Sequence, residues 1–224
     1  MNFIVTGGLG ALGRAVTAQL KQSGAKVAAV DIAPASAESG GADVVLGGVD
    51  LTDETAVAAA YKQAAEKLGG VDGLVNVAGG FVWELIDGGS LESFDNMYRM
   101  NLRTAAVSCR AALPYLKSGG AVVNIGAAAA LNAGSGMGSY AASKAGVKAL
   151  TESLADELKP RGVRVNAVLP TILDTPKNRA DMPDADTKQW VTPGAAAKVI
   201  AFLLSPEAGA VTGASIPMSM GEIG

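Results

Sequence analysis

The chain has 224 residues, of which 49% are hydrophobic and 17% are charged, and its net charge at pH 7 is −3. These values fit one globular α/β domain over residues 1–224, and no basic stretch offers the charge that a nucleic-acid partner requires. No segment approaches the roughly 18 apolar residues that cross a bilayer, and residues 1–6 lack the basic leader of a signal peptide. We therefore expect a cytoplasmic protein without a membrane partner.

The chain contains no histidine and a single cysteine, Cys109. Histidine-based triads and histidine-containing metal sites are therefore excluded, and we predict no metal site. One cysteine forms no internal disulfide, which fits a reducing compartment. Because Cys109 lies in an alanine-rich helical stretch, we favour a packing role over a reactive thiol. Proton transfer must then use Tyr, Lys, Asp, Glu or Cys side chains.

Short β-branched runs alternate along the chain with helical stretches rich in Ala, Leu, Lys and Glu. The alternation predicts an α/β fold of the Rossmann type, a doubly wound parallel sheet of about seven strands with helices on both faces. Ligands of such sheets bind at the carboxyl ends of the strands. The predicted strands are residues 2–6, 26–31, 43–46, 73–77, 121–125, 164–169 and 214–218. The predicted helices are residues 11–23, 53–68, 91–117, 139–159 and 193–204.

One long stretch, residues 174–191, is irregular, because it carries prolines and several aspartates and has no apolar period. Loops of this length in compact domains act as lids or are disordered. We favour a substrate lid, since Met182 and Trp190 would give it apolar groups to place on a ligand.

A glycine-rich turn follows the first predicted strand and has the spacing G-x-G-x-x-G. Glycines at these positions allow a tight turn, a close approach of the backbone to a pyrophosphate, and close packing of helix on strand. The next helix offers free N–H groups and its positive dipole end to the phosphates. The predicted cofactor-binding residues of this turn are Gly7, Gly8, Leu9, Gly10, Ala11, Leu12 and Gly13.

Asp31 ends the second predicted strand, where a carboxylate accepts hydrogen bonds from an adenosine ribose and repels a 2′-phosphate. This position favours NAD(H) as the cofactor. The alternative interpretation is an aspartate that only forms the turn after the strand. Arg14, in the first turn of the first helix, could pair with a 2′-phosphate and keeps NADP(H) as the second choice.

The segment after the third predicted strand is a second candidate contact with the adenosine. Asp50 is expected to meet the adenine amino group, with Leu51 beside it. Thr52 has the side chain of a helix cap and Asp53 that of an acid in the first helical turn, so part of this polar cluster has a structural explanation.

Tyr140 and Lys144 are four residues apart on a predicted helix, so their side chains share one face. An ammonium beside a phenol favours the phenolate. We therefore expect Lys144 to bring the pKa of Tyr140 closer to neutral and the pair to transfer protons.

The sequence resembles the short-chain dehydrogenase/reductase family over nearly its whole length. The motifs that carry the resemblance are the turn at residues 6–13, Asn76-Val77-Ala78-Gly79, Asn101, Tyr140-Ala141-Ala142-Ser143-Lys144 and residues 170–175. The resemblance implies an NAD(P)-dependent oxidoreductase. It assigns catalysis to Tyr140, Lys144 and Asn101, the lysine also binding the nicotinamide ribose and the asparagine supporting a water that relays protons.

The same resemblance completes the set of cofactor contacts. The backbone at Ile172 and the hydroxyl of Thr175 are expected to hold the carboxamide of the nicotinamide, whereas Asn76 is expected to fix the sheet and the cofactor pocket. The cofactor-binding residues implied in this way are Asn76, Ala78, Gly79, Tyr140, Lys144, Pro170, Ile172 and Thr175.

Two residues depart from the family pattern. Ala11 stands where the family usually has its middle glycine, and Gly10 compensates for it. Ala127, thirteen residues before Tyr140, stands where the family has its catalytic serine. A substrate carbonyl would therefore lose one of its two hydrogen-bond donors, and Ser139, which adjoins Tyr140, should point elsewhere.

The missing serine narrows the resemblance to the quinonoid dihydropteridine reductases. Residues 167–179 and 182–186 are similar to that branch, and residues 38–91 less so. The single residues that add to this similarity are Gly126, Ala127, Leu131, Gly136, Met137, Tyr140 and Trp190. A quinonoid dihydropterin accepts hydride into a conjugated ring system and presents no simple ketone, which suits a site without the serine. Phe81 and Trp83, after the fourth predicted strand, either stack on such a substrate or fill the core.

Three hypotheses of function follow. The leading one is NAD(P)H-dependent reduction of quinonoid dihydropterin or a similar flat heterocycle, with Tyr140 as proton donor. The alternatives are a general carbonyl or alcohol dehydrogenase that lacks the usual serine, and a nucleotide-binding protein without catalysis. The family commonly pairs the helices predicted here at residues 91–117 and 139–159 across a two-fold axis, so we expect a homodimer or homotetramer.

Overall fold

The computed structural model describes residues 1–36 and 38–220. Seven strands in this part of the chain form one sheet, in which each neighbouring pair is parallel. The strands are β1 (Asn2–Thr6), β2 (Lys26–Val30), β3 (Val44–Leu46), β4 (Val71–Asn76), β5 (Leu116–Ile125), β6 (Arg164–Pro170) and β7 (Ser215–Met218). Their spatial order is β3-β2-β1-β4-β5-β6-β7.

Helices cover both faces of the sheet. They are α1 (Ala11–Gln22), α2 (Glu54–Leu68), α3 (Glu92–Met97), a π-helical turn (Tyr98–Arg103), α4 (Thr104–Ala112), α5 (Gly138–Leu158), α6 (Pro176–Asp181) and α7 (Pro193–Leu204). Alternate residues of β1 enter different cores, Phe3 and Val5 packing with α1 and α7, and Ile4 packing with α2, α4 and α5. The predicted Rossmann-type fold class is confirmed.

The order of the strands determines where a ligand can lie. From β1 the chain first adds β2 and β3 on one side and then returns to add β4 on the other side. The connections after β1 and β4 therefore leave in opposite directions, which opens a crevice at the carboxyl ends of these two strands. The glycine turn after Thr6 and the segment after Asn76 border this crevice.

The predicted helix over residues 91–117 extends too far at its C-terminal end, where residues 113–117 are not helical. The segment begins with α3, widens into the π-helical turn and ends with α4 at Ala112, and β5 already starts at Leu116. Pro114 has no N–H with which to continue a helix, which explains the early end. The other predicted helix and strand ends lie within two residues of the observed ones, apart from the start of β5.

The cap of α2 also differs from the prediction. Asp53, and not Thr52, is the N-cap, because its carboxylate accepts hydrogen bonds from the N–H groups of Thr55 at 2.8 Å and Ala56 at 3.1 Å. Thr52 instead donates its hydroxyl to Asp50. A carboxylate at this end also interacts favourably with the helix dipole.

The predicted lid, residues 174–191, is more ordered than its composition indicates. It contains α6 and a short 3₁₀ turn at Thr187–Gln189, and its ends are joined by a bridge between Leu173 and Val191. Trp190 is only 5% exposed. The expectation that Trp190 offers its ring to a ligand is therefore wrong, whereas Met182 is partly exposed.

The described residues include no helix with both the length and the apolar character of a membrane span.

Candidate active site

The glycine turn after β1 is packed so tightly that side chains are excluded from it. Gly7 has φ +59°, and a Cβ there would lie 2.9 Å from the Ala78 nitrogen in the segment after β4. A Cβ on Gly13 would overlap the carbonyl oxygen of Gly7, and one on Gly8 would lie 2.6 Å from the Ala29 Cβ. These contacts hold the start of α1 against the ends of β1 and β4.

The start of α1 offers hydrogen-bond donors to an anion. Its N-cap, Gly10, has no side chain to bond the first N–H groups, and the first turn carries no acidic residue. The N–H groups of Ala11, Leu12 and Gly13 have no acceptor within the helix and lie at its positive end. This arrangement fits the pyrophosphate of a dinucleotide. Ala11, at the position where the family usually has a glycine, is the first residue of α1.

Asp31 connects the glycine turn to the end of β2. One carboxylate oxygen accepts a hydrogen bond from the Leu9 N–H at 2.9 Å, and the other accepts from the Ala33 N–H at 3.0 Å. The second bond is the turn-forming role considered above, while the first reaches the predicted phosphate loop. Each oxygen keeps a lone pair for a ribose hydroxyl, so both interpretations of Asp31 are compatible with its geometry.

Arg14 and Asp50 are each bonded to a neighbouring residue. The guanidinium of Arg14 lies 2.8 Å from the carboxylate of Glu38, in the loop that follows β2. The carboxylate of Asp50 accepts from both the N–H and the hydroxyl of Thr52 at 2.8 Å, and these bonds hold its pKa below the usual value. The adjacent Leu51 is buried in the core beside α2, so its side chain is not offered to an adenine.

Asn76 lies inside the sheet. Its amide donates to Asn124 Oδ1 at 2.8 Å and to Cys109 Sγ at 3.2 Å, and the residue is 4% exposed. These bonds join β4 to β5 and support the predicted role in fixing the sheet. They give no support to a direct contact between this side chain and the cofactor. Burial raises the pKa of the Cys109 thiol to about 12, which fits packing and not reactivity.

Tyr140 and Lys144 share one face of α5, with Lys144 Nζ 5.9 Å from the centre of the Tyr140 ring. The ammonium donates to the Ile125 carbonyl at 2.8 Å. Burial raises the pKa of Tyr140 to about 12 and lowers that of Lys144 to about 8. The expectation that Lys144 lowers the pKa of Tyr140 is therefore wrong for the protein alone, because desolvation of the phenol dominates.

Asn101 lies in the π-helical turn and is 1% exposed. Its amide donates to the Gly80 carbonyl and to Ser143 Oγ, and its Oδ1 accepts from the Gly80 N–H at 3.0 Å. A Cβ on Gly79 would lie 2.5 Å from Asn101 Oδ1 and 3.4 Å from Lys144 Nζ. The predicted residues Gly79, Asn101 and Lys144 are thus brought together. Asn101 lies in a π-helical turn, a feature often found at functional sites.

The residues predicted at the nicotinamide end follow β6. Pro170 is the last residue of that strand and is buried, whereas Ile172 is 36% exposed. Thr175 is the N-cap of α6, and its hydroxyl oxygen accepts from the Asn178 N–H at 3.2 Å. The hydroxyl proton remains free to be donated, so capping does not conflict with the predicted contact to a carboxamide.

Ala127 follows β5 and is 3% exposed. Ser139 is 3% exposed, and its Oγ has no hydrogen-bond partner among the described residues. Ser135 is exposed, and its carbonyl accepts from the Trp83 indole at 3.0 Å.

An apolar segment, residues 80–86, borders Tyr140, and we call it the strap. Phe81 is 50% exposed and Trp83 is 58% exposed, so the interpretation of these rings as core is wrong. Phe81 contacts the Tyr140 ring edge-on. The Trp83 ring covers Gly136, where a Cβ would overlap it. Sequence reasoning missed the extent of the strap, although the apolar run from Phe81 to Ile86 without a strand or helix period was a signal for it.

Ser143 is a second residue that sequence reasoning missed. Its hydroxyl donates to the Tyr140 carbonyl at 2.7 Å and accepts from the Asn101 amide at 2.9 Å. A serine next to the lysine of the motif gives no indication of this contact from sequence alone, because Asn101 is 42 residues away.

Comparison with known proteins agrees with this geometry. A family described as "Enoyl-(Acyl carrier protein) reductase" matches residues 8–222. A 2-(R)-hydroxypropyl-CoM dehydrogenase of Xanthobacter autotrophicus is 33% identical, with 96% of this chain and 95% of the relative covered. A 3-oxoacyl-[acyl-carrier-protein] reductase of Thermotoga maritima is 31% identical, with 98% and 96% covered.

A solved structure gives the same result. A short-chain dehydrogenase from Burkholderia cenocepacia, in complex with NADP, has a TM-score of 0.86 and 30% identity over 98% of this chain and 96% of its own. None of these three proteins is named for a dihydropterin substrate. The chain belongs to the short-chain dehydrogenase/reductase family and is an oxidoreductase of that type.

Proposed function

We propose that the protein uses NAD(P)H to reduce quinonoid dihydropterin or a similar flat heterocycle, with Tyr140 as the proton donor. The observation that carries this proposal is the combination of two half-exposed rings, Phe81 and Trp83, at a site where Ala127 provides no hydroxyl. Aromatic faces bind flat conjugated rings, and a substrate without a ketone oxygen does not need the second donor.

The chain's own groups are suited to reduction. When bound, a reduced nicotinamide supplies the hydride. Tyr140, whose pKa burial raises to about 12, keeps its proton at neutral pH and can donate it to the reduced ring. Lys144 is charged below a pH of about 8, and its ammonium on the same helix face stabilises the phenolate left after that transfer.

The proposed cofactor is NAD(H), with NADP(H) as the second choice. Asp31 places a carboxylate at the glycine turn, and Glu38 pairs with the one arginine of the first helical turn, Arg14. Both features disfavour a 2′-phosphate. In contrast, the Burkholderia cenocepacia structure contains NADP, which keeps the second choice in consideration.

The second candidate function is oxidation and reduction of alcohols and carbonyls. The names of the relatives favour it, since they include a hydroxypropyl-CoM dehydrogenase and a 3-oxoacyl reductase. In this case another group would have to supply the donor that Ala127 lacks. A nucleotide-binding protein without catalysis is the weakest alternative, because Tyr140, Lys144 and Asn101 are all retained.

The proposed partner is a second copy of the chain, in a homodimer or homotetramer. Small side chains on α5, namely Ala142, Ala145 and Ala149, are exposed. Small residues allow two helices to pack closely across a two-fold axis.

The test is NADH oxidation with quinonoid dihydropterin, run beside a panel of ketones and 3-oxoacyl thioesters. Turnover of the dihydropterin with kcat/KM well above that of the panel supports the proposal. Efficient reduction of a ketone with no dihydropterin activity would favour the second candidate. Binding of NADH without turnover of any acceptor would favour the non-catalytic alternative.

A further inference from the structure

We infer that Ser143 is a positioning residue, which couples the strap to the catalytic helix through Asn101. The effect on the reaction rests on the proposed function. The coupling itself rests only on hydrogen bonds within the protein.

The coupling is a continuous chain of four hydrogen bonds, of which the central one, between Asn101 and Ser143, is buried. The Gly80 N–H donates to Asn101 Oδ1 at 3.0 Å, and the Asn101 amide donates to the Gly80 carbonyl at 3.1 Å. The same amide donates to Ser143 Oγ at 2.9 Å, and Ser143 donates to the Tyr140 carbonyl at 2.7 Å. Asn101 is 1% exposed and Ser143 is 5% exposed, so water cannot replace either partner.

Asn101 has no spare donor in this arrangement. Its amide donates to the Gly80 carbonyl and to Ser143 Oγ, with a longer contact to Met97 Sδ at 3.7 Å. These bonds fix the plane of the amide and direct Oδ1 at the Gly80 N–H. Removal of the Ser143 hydroxyl would leave that buried N–H with only the weak thioether acceptor of Met97, whose Sδ lies 3.7 Å from the amide nitrogen. The amide would then turn, and its two hydrogen bonds to Gly80 would weaken.

Both ends of this hydrogen-bond chain meet reacting groups. Gly79 precedes Gly80 and lies beside Asn101 and Lys144, since a Cβ on it would be 2.5 Å from Asn101 Oδ1 and 3.4 Å from Lys144 Nζ. Phe81, the residue after Gly80, packs edge-on against the Tyr140 ring. A shift of Gly80 would therefore move Gly79, which lies beside Lys144, and Phe81, which packs on Tyr140. A displacement near 1 Å can cost about 100-fold in rate.

The experiment compares Ser143→Ala with Ser143→Thr, which keeps the hydroxyl, and with Ser153→Ala, an exposed serine on the same helix. We expect Ser143→Ala to speed hydrogen exchange of the Gly80 amide about tenfold or more, following the loss of its fixed acceptor. It should lower kcat by roughly tenfold with a smaller change in the KM for NADH. Ser143→Thr should restore most of the exchange protection of Gly80 and most of kcat, and Ser153→Ala should match the wild type in both.

Unchanged exchange at Gly80 in a folded Ser143→Ala protein would overturn the inference. So would faster exchange with wild-type kcat, because the coupling would then have no effect on the reaction. If wild type turns over no acceptor, the proposed function fails, while the exchange result still decides the coupling. If Ser143→Ala does not fold, Ser143→Cys provides the same test with the same two measurements, since a thiol is a much weaker acceptor for the Asn101 amide.

Discussion

The Phe81 ring stands edge-on to the Tyr140 ring, with 4.9 Å between their centres and 86° between their planes. The Tyr140 phenol, the proposed proton donor, is therefore held partly by a residue of the strap and not only by its own helix. Edge-to-face pairs of this kind contribute about 0.5–1.5 kcal/mol beyond the area that they bury. Since Phe81 is half-exposed, the same ring also has a surface free for a substrate.

This contact makes Tyr140→Phe a clean test of the hydroxyl. The ring, and with it the packing against Phe81, is retained, so we expect the melting temperature to stay close to that of the wild type. Loss of the proton donor should lower kcat by roughly 100-fold or more. Steady-state kinetics with the best acceptor provides the measurement, and kcat near the wild-type value would remove Tyr140 from the mechanism.

Lys144 should make the protein less stable at neutral pH. Burial lowers its pKa from 10.5 to about 8, whereas the unfolded chain keeps the ordinary value. Folding therefore disfavours the charged form, and this cost is fully present below pH 8 and fades as the pH rises towards 10.5. The shift corresponds to about 3 kcal/mol.

We accordingly expect Lys144→Met to raise the melting temperature at pH 7 while abolishing measurable turnover. The gain in stability should shrink between pH 8 and pH 10, since the wild-type lysine is then neutral in the folded protein. Lys148→Met, on the same helix but paired with Glu152 at the surface, is the matched control and should show neither effect. An equal gain in melting temperature at pH 7 and at pH 10 would contradict the role of the buried charge.

Asp31→Asn removes the negative charge of this residue and keeps the size of its side chain. The amide oxygen can still accept from the Leu9 N–H, so the glycine turn should remain in place, whereas the bond from the Ala33 N–H is lost. Without the negative charge, we expect NADPH to bind roughly tenfold more tightly while NADH binding changes less. Fluorescence titration of both cofactors measures this, with Asp156→Asn, an exposed residue of α5, as the control. A wild type that already prefers NADPH would show that the interpretation of Asp31 is wrong.

The sequence was sufficient for the features that depend on local patterns. β-Branched runs and amphipathic stretches predict the sheet and most of the helices, because they reflect burial on two faces. The glycine turn could be predicted since Gly7 and Gly13 have backbone contacts that no side chain allows. The pairing of Tyr140 and Lys144 follows from helical spacing alone.

Features that depend on long-range contacts could not be predicted in this way. The pKa of Tyr140 rises because neighbouring segments bury the phenol, and helical spacing contains no information on that burial. The bond between Ser143 and Asn101 joins residues of two different helices. Trp190 lies in a polar stretch next to the bridge between Leu173 and Val191, and that polar pattern gives no sign of its burial.

The oligomeric state can be tested with the surface of α5. We expect light scattering at micromolar concentration to give the mass of a dimer or tetramer. Replacement of Ala149, an exposed small residue of this helix, by arginine should shift the protein towards the monomer, because a long charged side chain prevents close packing of two helices. A monomeric wild type would contradict the proposed assembly.

Ala127→Ser tests the substrate class most directly. The alanine is 3% exposed, directly after β5, and lies thirteen residues before Tyr140. Serine adds one small hydroxyl, so we expect at most a modest loss of stability. If the natural substrate needs no second carbonyl donor, this hydroxyl should improve ketone reduction, since a donor aimed at a developing oxyanion contributes roughly 3 kcal/mol to the transition state.

Reduction of the dihydropterin should stay level or fall in the same variant, because the new hydroxyl has no ketone oxygen to bond there. Both activities are measured for wild type and Ala127→Ser with one NADH stock, and Ala130→Ser in the neighbouring 3₁₀ turn serves as a control. A wild type that already reduces simple ketones efficiently, with no gain from the serine, would mean that another group supplies the second donor. The dihydropterin proposal would then lose its main chemical support, and the carbonyl or alcohol oxidoreductase would become the favoured function.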